Sequence, residues 1–329
     1  MLDVSGAGGW DGSTYYGREQ VKAAPFNNWL VGSYIFAAGL SGGAAVLSAV
    51  MDLVRGDAAE PIVRRGRWLS LLGPTLGTAC LIADLHTPKR FYNMLRLFKV
   101  TSPMSIGSWI LVVFGLFSSA TAAGDVLARL PGLRWLRDAA KAVQIPAAVT
   151  GAGLATYTAS LLSATSTPLW AAAPGATAVR FGSSSVASAA ATLSLGQGRT
   201  RLGRDLDSIA LAALALELAG TISADQSYHQ TGVANAMQTT PGRVEELGAT
   251  VLGVLVPIGL LSASLGLGRP RSRSLSAMAG VAILAGSATL RIAFMAAGDC
   301  SARRADISMR FAQPENLPRM RGWPIQHRH

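Results

Sequence analysis

Residues 84–109 read DLHTPKRFYNMLRLFKVTSPMSIGSW and lie between two long apolar segments. A carboxylate, Asp84, and a histidine, His86, stand at the end of the first apolar run, and a cation-rich amphipathic stretch follows. Charged groups at the edge of hydrocarbon are costly to bury, so such residues are candidates for function. The stretch therefore predicts a polar turn between two membrane helices, with Asp84 and His86 as catalytic, proton-handling residues.

The chain around this turn is strongly apolar. Its 329 residues are 50% hydrophobic and only 14% charged, with a mean hydropathy of +0.34, whereas a soluble domain carries about 25% charged residues. Eight apolar stretches have the length of about 20 residues that crosses hydrocarbon. They are 29–54, 68–85, 104–128, 143–164, 168–196, 206–226, 246–266 and 275–297. We therefore expect an all-α integral membrane protein, with an eight-helix transmembrane domain over 29–297 between two arms, 1–28 and 298–329.

The formal net charge of +11 does not indicate nucleic-acid binding, because the cations lie in short loops and not on one continuous basic face. The loops concerned follow the first, third, fifth and seventh apolar stretches. Their cations are Arg55, Arg64, Arg65, Arg67, Arg129, Arg134, Arg137, Lys141, Arg199, Arg201, Arg204, Arg269, Arg271 and Arg273. The positive-inside rule places these loops in the cytoplasm. We thus predict a multi-pass protein of the cell membrane with both termini, and the turn at 84–103, on the extracytoplasmic side.

Ligands for a redox metal are scarce in the sequence. The two cysteines, Cys80 and Cys300, are far apart, and no metal-spaced pair exists. Of the four histidines, His327 and His329 lie in the tail, which leaves His86 and His229 near membrane ends. We expect no haem, no iron–sulfur cluster and no metal site in this chain.

Local signals predict a lid over one end of the helices. Thr87-Pro88 and Ser102-Pro103 each combine an N-cap with a first-turn proline. Between them, one side of a helix would carry Phe91, Met94, Leu95 and Phe98. This pattern predicts a short amphipathic helix in the interface plane. In the apolar stretch before it, Gly73-Pro74 predicts a kink or an opened hydrogen-bond ladder.

Several ionisable residues fall inside the later apolar stretches. Arg180 and Glu217 lie near mid-depth by counting along their helices, and mutual pairing is the simplest account of two such charges. The functional alternative is a proton relay through Glu217 and Arg180, extended by Asp225 and Arg291. The sequence leaves both interpretations open.

Six linked stretches, in order along the chain, resemble the integral-membrane subunit of polysulfide-reductase-type enzymes, the NrfD-like family. They are Tyr15-Tyr16-Gly17-Arg18 with Lys22-Ala-Ala-Pro25, Asn28-Trp29 with Tyr34-Ile-Phe-Ala-Ala-Gly39-Leu-Ser-Gly42-Gly43, Asp84-Leu-His-Thr-Pro88-Lys-Arg90-Phe91, Thr101-Ser-Pro-Met104-Ser-Ile-Gly107-Ser-Trp109, Tyr157-Thr-Ala-Ser-Leu-Leu-Ser163 and Pro168-Leu-Trp170. The resemblance implies two four-helix bundles and a non-covalently bound quinone, menaquinone or another. Matching positions for the quinone contacts are Asn28, Trp29 and Tyr157.

The resemblance also implies partners. These are an iron–sulfur electron-transfer subunit on the outer face, which the basic turn would help to dock, and a molybdopterin or similar catalytic subunit, with membrane lipid around the helices. We therefore predict a quinone-binding subunit of a respiratory oxidoreductase complex. A passive membrane anchor and an ion- or proton-translocating subunit remain as alternatives.

Overall fold

The computed structural model describes residues 20–85, 87–198, 200–266 and 272–316. Over these ranges the chain forms helices and no strand, which confirms the all-α prediction. The α-helices are α1 (Asn28–Arg55), α2 (Glu60–Leu69), α3 (Thr78–Asp84), α4 (Pro103–Leu127), α5 (Leu136–Ser163), α6 (Pro168–Ala172), α7 (Pro174–Ser194), α8 (Arg201–Gln230), α9 (Thr240–Val244), α10 (Val256–Leu265), α11 (Arg273–Arg303) and α12 (Ala305–Phe311). The predictions that concern His86, Arg199, Arg269, Arg271, 1–19 and 317–329 lie outside the described residues.

Two π-helical segments and several 3₁₀ turns complete the helical path. One π segment, Gly73–Gly77, joins α2 to α3, and the other, Glu245–Leu255, joins α9 to α10. The first contains Pro74, so the predicted opening of the hydrogen-bond ladder at Gly73-Pro74 is confirmed. A 3₁₀ helix over Pro88–Leu95, here called the lid helix, lies in the predicted position of the interfacial helix.

Six helical runs of the described chain are long and apolar enough to cross a membrane. The first of these, Asn28–Asp84, has 57 residues and folds back on itself at Gly56, whose φ of +54° suits glycine. Its two halves then run antiparallel. The facing pairs are Ser48 with Gly66, Ser41 with Gly73, and Tyr34 with Gly77. The count of eight crossings stays a prediction.

Helix bounds differ from the predicted ones where polar residues continue a helix. α2 begins at Glu60, eight residues before the predicted start, because Ile62, Val63 and Arg67 form a buried face. At the other end of the chain, α11 continues to Arg303 through the polar residues after 297. Apolar counting cannot detect such extensions, since it follows only the segment that hydrocarbon would cover.

The predicted fifth stretch, 168–196, is broken into α6 and α7 at Ala173, directly before Pro174. α7 is rich in alanine and serine, and most of its residues are buried. It packs against α1, α5, α8 and α11. Small side chains allow this close approach of several helices.

We divide the helices into two halves that share α1: the first contains α2 to α5 with the lid helix, and the second contains α7 to α11. α1 contacts α2, α3 and α5 on one side and α7 and α11 on the other. A Cβ atom on Gly42 would lie 2.2 Å from the carbonyl oxygen of Gly151 in α5, and one on Gly43 would lie 2.5 Å from that of Ser185 in α7. These glycines of α1 therefore allow close packing of α1 against α5 and α7.

Candidate functional site

A cavity of about 500 Å³ lies beneath the lid helix, at what we call the lid end of the bundle. Its walls are formed by α1, α3, α4, α5 and the first π segment, Gly73–Gly77. The lid helix contributes Phe91, Met94 and Leu95. The predicted lid is thus present, in the tighter 3₁₀ form. Of its two expected caps, Ser102 accepts a hydrogen bond from the Ser105 N–H, whereas Thr87 makes no side-chain cap bond.

The cavity wall is mostly apolar and carries one pair of phenols. The hydroxyls of Tyr34 in α1 and Tyr157 in α5 form a hydrogen bond with each other. Gly107 of α4 leaves room for the Tyr157 ring, since a Cβ atom there would lie 2.1 Å from the ring. Tyr157 is a predicted contact residue and does line the cavity. Tyr34 also lines it, although the sequence analysis named Tyr34 only within a family motif.

A hydroxyl next to the phenol pair has no hydrogen-bond partner in the part of the chain that the structure describes. Thr158 lines the cavity, and its Oγ1 is buried without a hydrogen-bond partner among the described residues. Buried polar atoms are nearly always satisfied by protein, water or a ligand. The Thr158 hydroxyl is therefore available to a molecule inside the cavity.

Asp84 lies at the mouth of the cavity, as predicted for the end of the apolar run. Its Oδ1 accepts a hydrogen bond from the Asn27 N–H at 2.9 Å. Asn27 is in turn the N-cap of α1, where its side-chain oxygen accepts from the N–H groups of Trp29 and Leu30. The start of α1 thus fixes the carboxylate beside the cavity. His86, the other predicted catalytic residue, lies outside the described residues.

Asn28 and Trp29, predicted as contacts, do not line this cavity as described. Asn28 donates from Nδ2 to Asp299 Oδ2 of α11 at 2.9 Å, and the Trp29 side chain is 71% exposed. The helical phase explains the difference, because the face of α1 toward the cavity carries Val31, Tyr34 and Ile35. Proximity in sequence to the start of α1 did not reveal which way each side chain points.

The prediction that Arg180 pairs with Glu217 was wrong. Arg180 forms a buried ion pair with Glu245, at 2.5 Å between Nη2 and Oε1, and not with Glu217 as its direct partner. Glu245 opens the second π segment, one residue before the predicted seventh stretch. Counting along single helices could not show that this carboxylate reaches α7, although two adjacent glutamates before an apolar run are a visible signal.

Arg291 and Glu217 lie close to this pair inside the second half of the molecule. Arg291 donates hydrogen bonds of 2.6–3.1 Å to oxygen atoms of Phe181, Ser184, Ser185 and Ser287. Glu217 is buried beside Ser184 and within the electrostatic influence of both arginines. Asp225 is separate: its side chain is 65% exposed and lies 3.8 Å from His229. The structure therefore brings together three of the four predicted relay residues.

These features define a multi-pass, all-α membrane protein with a mostly apolar cavity at the lid end of the bundle. The family described as "Polysulphide reductase, NrfD" matches residues 19–301. The chain belongs to this family, as the sequence motifs predicted.

The curated relatives include the C subunit of polysulfide reductase from Wolinella succinogenes. It is 30% identical over 93 residues, a stretch that covers 27% of this chain and 29% of that protein. The match thus spans less than a third of that relative's length.

Proposed function

We propose that this chain is the quinone-binding membrane subunit of a respiratory oxidoreductase complex. It would exchange electrons between the membrane quinone pool and an iron–sulfur subunit that serves a molybdopterin-type catalytic subunit. Membership of the family supports a place in a redox complex, since the matched relative is by its name one subunit of a reductase. The observation that carries the proposal is the apolar cavity with the Tyr34–Tyr157 pair in its wall.

The cavity fits the chemistry of a quinone ring. A quinone needs a flat apolar slot and hydrogen-bond donors for its two carbonyl oxygens, and small-molecule sites usually measure about 300–1,000 Å³. The volume of about 500 Å³ falls in that range. The hydroxyl of Thr158, which lacks a partner among the described residues, offers a donor beside the phenol pair.

The phenol pair can donate outward. Two hydroxyls carry two protons, and the bond between Tyr34 and Tyr157 uses only one of them. The second O–H is free to point at a carbonyl oxygen of the ligand. A bound quinone supplies the capacity for two electrons and two protons.

Asp84 is suited to exchanging protons at the cavity mouth. The Asn27 N–H holds one carboxylate oxygen at this mouth, while the side chain remains half-buried. A carboxylate at the boundary between a ligand and solvent can accept a proton from one and release it to the other. We propose that His86 assists in this transfer.

The proposed arrangement has eight crossings, with both termini on the lid side. The antiparallel packing of α1 against α2 and α3 supports two crossings in the first apolar run. α7 has 21 residues, which at 1.5 Å per residue gives about 31 Å, enough to span hydrocarbon. The lid end would then face the partner subunits, and the exposed cations Lys89, Arg90, Arg96 and Lys99 would attract an acidic one.

A specific observation supports a second activity, proton translocation, in the other half of the molecule. Buried polar groups extend from Arg180–Glu245, past Glu217 and Arg291, to Asp207, which accepts hydrogen bonds from Ser194 and Ser276. Nε of Arg180, Nε of Arg291 and Oε2 of Glu245 are buried without a hydrogen-bond partner in the described part of the chain. Such atoms are usual sites for internal water, which a proton relay requires.

The quinone site is tested with Tyr34→Phe, Tyr157→Phe and Asp84→Asn in the purified complex. Each variant should lower quinone-dependent turnover about tenfold or more, because the two phenylalanine variants disrupt the hydroxyl pair and Asp84→Asn removes the carboxylate that exchanges protons. The dye-linked activity of the partner subunit should stay unchanged. Tyr92→Phe is the matched control, since Tyr92 lies on the lid helix but is exposed and outside the lining.

Unchanged quinone turnover in all three variants would show that the quinone does not bind in this cavity. If the extracted complex contained no quinone and showed no quinone-dependent activity, the chain would be a passive anchor. Ion flux through liposomes that contain this chain without a redox partner would favour a transporter.

The relay is tested with Glu217→Gln in complex-containing liposomes, with Asp225→Asn as the exposed control. We expect Glu217→Gln to abolish proton transfer across the membrane, because an amide cannot carry the proton, while Asp225→Asn has a small effect. A pH-sensitive dye in the lumen measures the transfer during quinone turnover. Equal proton transfer in Glu217→Gln and the unmodified complex would assign the buried charges a structural role.

A further inference from the structure

A second cavity, of about 280 Å³, lies at the end of the bundle away from the lid helix, which we call the far end. It is formed where α1 and α4 end and where α2 and α5 begin. Apart from Val63, its lining residues are ionisable, with five cations and four carboxylates. These are Arg64, Arg67, Arg129, Arg137 and Lys141, and Asp52, Asp57, Glu60 and Asp125. The cavity is separate from the proposed quinone site and shares no lining residue with it.

Arg67 lines this cavity and is almost wholly buried, with 4% of the residue exposed. Its Nε donates to Gln144 Oε1 at 2.6 Å, and its Nη1 forms an ion pair with Asp125. Its Nη2 is buried without a hydrogen-bond partner among the described residues. A buried guanidinium donor without a partner is costly, and the residue that carries it belongs to the lining of the far-end cavity.

The carboxylates in the lining are mostly engaged by other cations. Lys141 lies 3.4 Å from Asp57 and 4.0 Å from Asp52, and Arg137 lies 3.9 Å from Glu60. Two arginines remain. Arg64 and Arg129 have no ion pair with a carboxylate in the described part of the chain, although both belong to the lining.

We propose that this far-end cavity binds a phosphate group. Guanidinium groups match the oxygen geometry of phosphate. Three arginines of this cavity can bind it: Arg67 has an N–H donor without a partner among the described residues, and Arg64 and Arg129 have charges that no described carboxylate neutralises in an ion pair. Arg67 forms the preorganised part of the site, since its Nε and Nη1 are already fixed by Gln144 and Asp125. Arg64 and Arg129 close on the ligand from the exposed rim.

The position of the cavity matches the depth of lipid headgroups. The exposed indoles of Trp68 and Trp135 lie at the same end, where interfacial aromatic side chains are favoured. The charge distribution predicts that this end is cytoplasmic, and basic pockets between helices on that side bind anionic headgroups. The phosphate can therefore come from an anionic phospholipid or from solution, and separate titrations with lipid and with inorganic phosphate distinguish the two sources.

The full chain, with any subunits that co-purify, is stripped of lipid in mild detergent and titrated with phosphatidylglycerol in native mass spectrometry. The cavity variants are Arg64→Gln/Arg129→Gln and Arg67→Lys, which keeps the charge but removes the free Nη2. The matched control is Arg65→Gln/Arg134→Gln, because both arginines are exposed at the far end and outside the lining. A parallel arm measures the shift in melting temperature with inorganic phosphate against chloride at equal ionic strength.

We expect one saturable phosphatidylglycerol site, about tenfold weaker in both cavity variants and unchanged in the control, with no comparable binding of phosphatidylcholine. A phosphate-specific shift in melting temperature, lost in the same variants and not displaced by phosphatidylglycerol, would assign the site to free phosphate. Equal binding of lipid and phosphate to the cavity variants and the control would overturn the proposal, since it would leave only general surface attraction.

Discussion

At the scale of single residues, the missing side chain of Gly107 decides the shape of the cavity beneath the lid helix. The ring of Tyr157 occupies the space where a Cβ atom of residue 107 would lie. The phenol can therefore reach Tyr34 across the cavity wall. The three nearest atoms to a Cβ at residue 107 all belong to the Tyr157 ring, so the glycine makes room for this side chain in particular.

We expect Gly107→Ala to lower quinone-dependent turnover about tenfold or more, because the added methyl group displaces the Tyr157 ring and costs about 1–3 kcal/mol. Gly153→Ala is the control: its Cβ would lie 3.8 Å from Ile110, an ordinary contact on the helix that carries Tyr157. Steady-state turnover and melting temperature of both variants measure the effect. Equal turnover in the two variants would contradict this role of Gly107.

The sequence predicted which residues lie at the site better than it predicted the partners that those residues contact. Asp84 and Tyr157 were expected at a ligand site and both line the cavity. Tyr34 and Glu245 were missed as partners, because each meets its partner on a distant helix, 123 and 65 residues away. Which faces of two helices meet depends on packing that helical periodicity in one segment does not contain.

At the scale of elements, the lid helix closes the cavity with one side only. Phe91 lines the cavity and is 39% exposed, whereas its neighbour Tyr92 is outside the lining and 54% exposed. The two rings pack edge to face. The apolar spacing predicted this helix and its sidedness. The 3₁₀ form was not predictable from spacing, since α and 3₁₀ turns place residues at i and i+3 on nearly the same side.

We expect Phe91→Ala to raise the KM for quinol severalfold with a smaller change in kcat, because it removes apolar wall without touching the proton-handling groups. Tyr92→Ala removes a ring of similar size from outside the lining and serves as the control. Quinol titrations of the purified complex give both constants. A fall in kcat at constant KM would mean that the lid helix acts on chemistry and not on binding.

At the scale of the whole molecule, two halves share α1 and carry different kinds of interior. The first half encloses an apolar cavity with a few hydroxyls at its lid end and a buried Arg67–Asp125 ion pair at its far end. The second half buries charged residues against serines. Composition predicted the membrane class and the helical fold. It could not predict which ionisable residues would be buried in each half.

Cysteine labelling in intact cells tests the proposed eight crossings. In a background without Cys80 and Cys300, we expect Asp57→Cys, Arg134→Cys and Gln197→Cys to react from one side of the membrane. Thr101→Cys and Thr165→Cys should react from the other side, because single helices separate these loops. If Gln197→Cys reacted from the same side as Thr101→Cys, α7 would not cross.

The polar composition of α7 has a consequence for the synthesis of the chain. α7 is absent from the runs that are apolar enough to cross hydrocarbon unaided, and Arg180 within it is unfavourable in lipid by about 2.5–3.5 kcal/mol on insertion scales. In the proposed eight-crossing arrangement, a nascent α7 leaving the translocon therefore depends on α1 and α5, already inserted, and on α8, which follows after a short loop. Lengthening that loop would delay α8, and the yield of inserted protein would fall even though every contact of the finished molecule was kept.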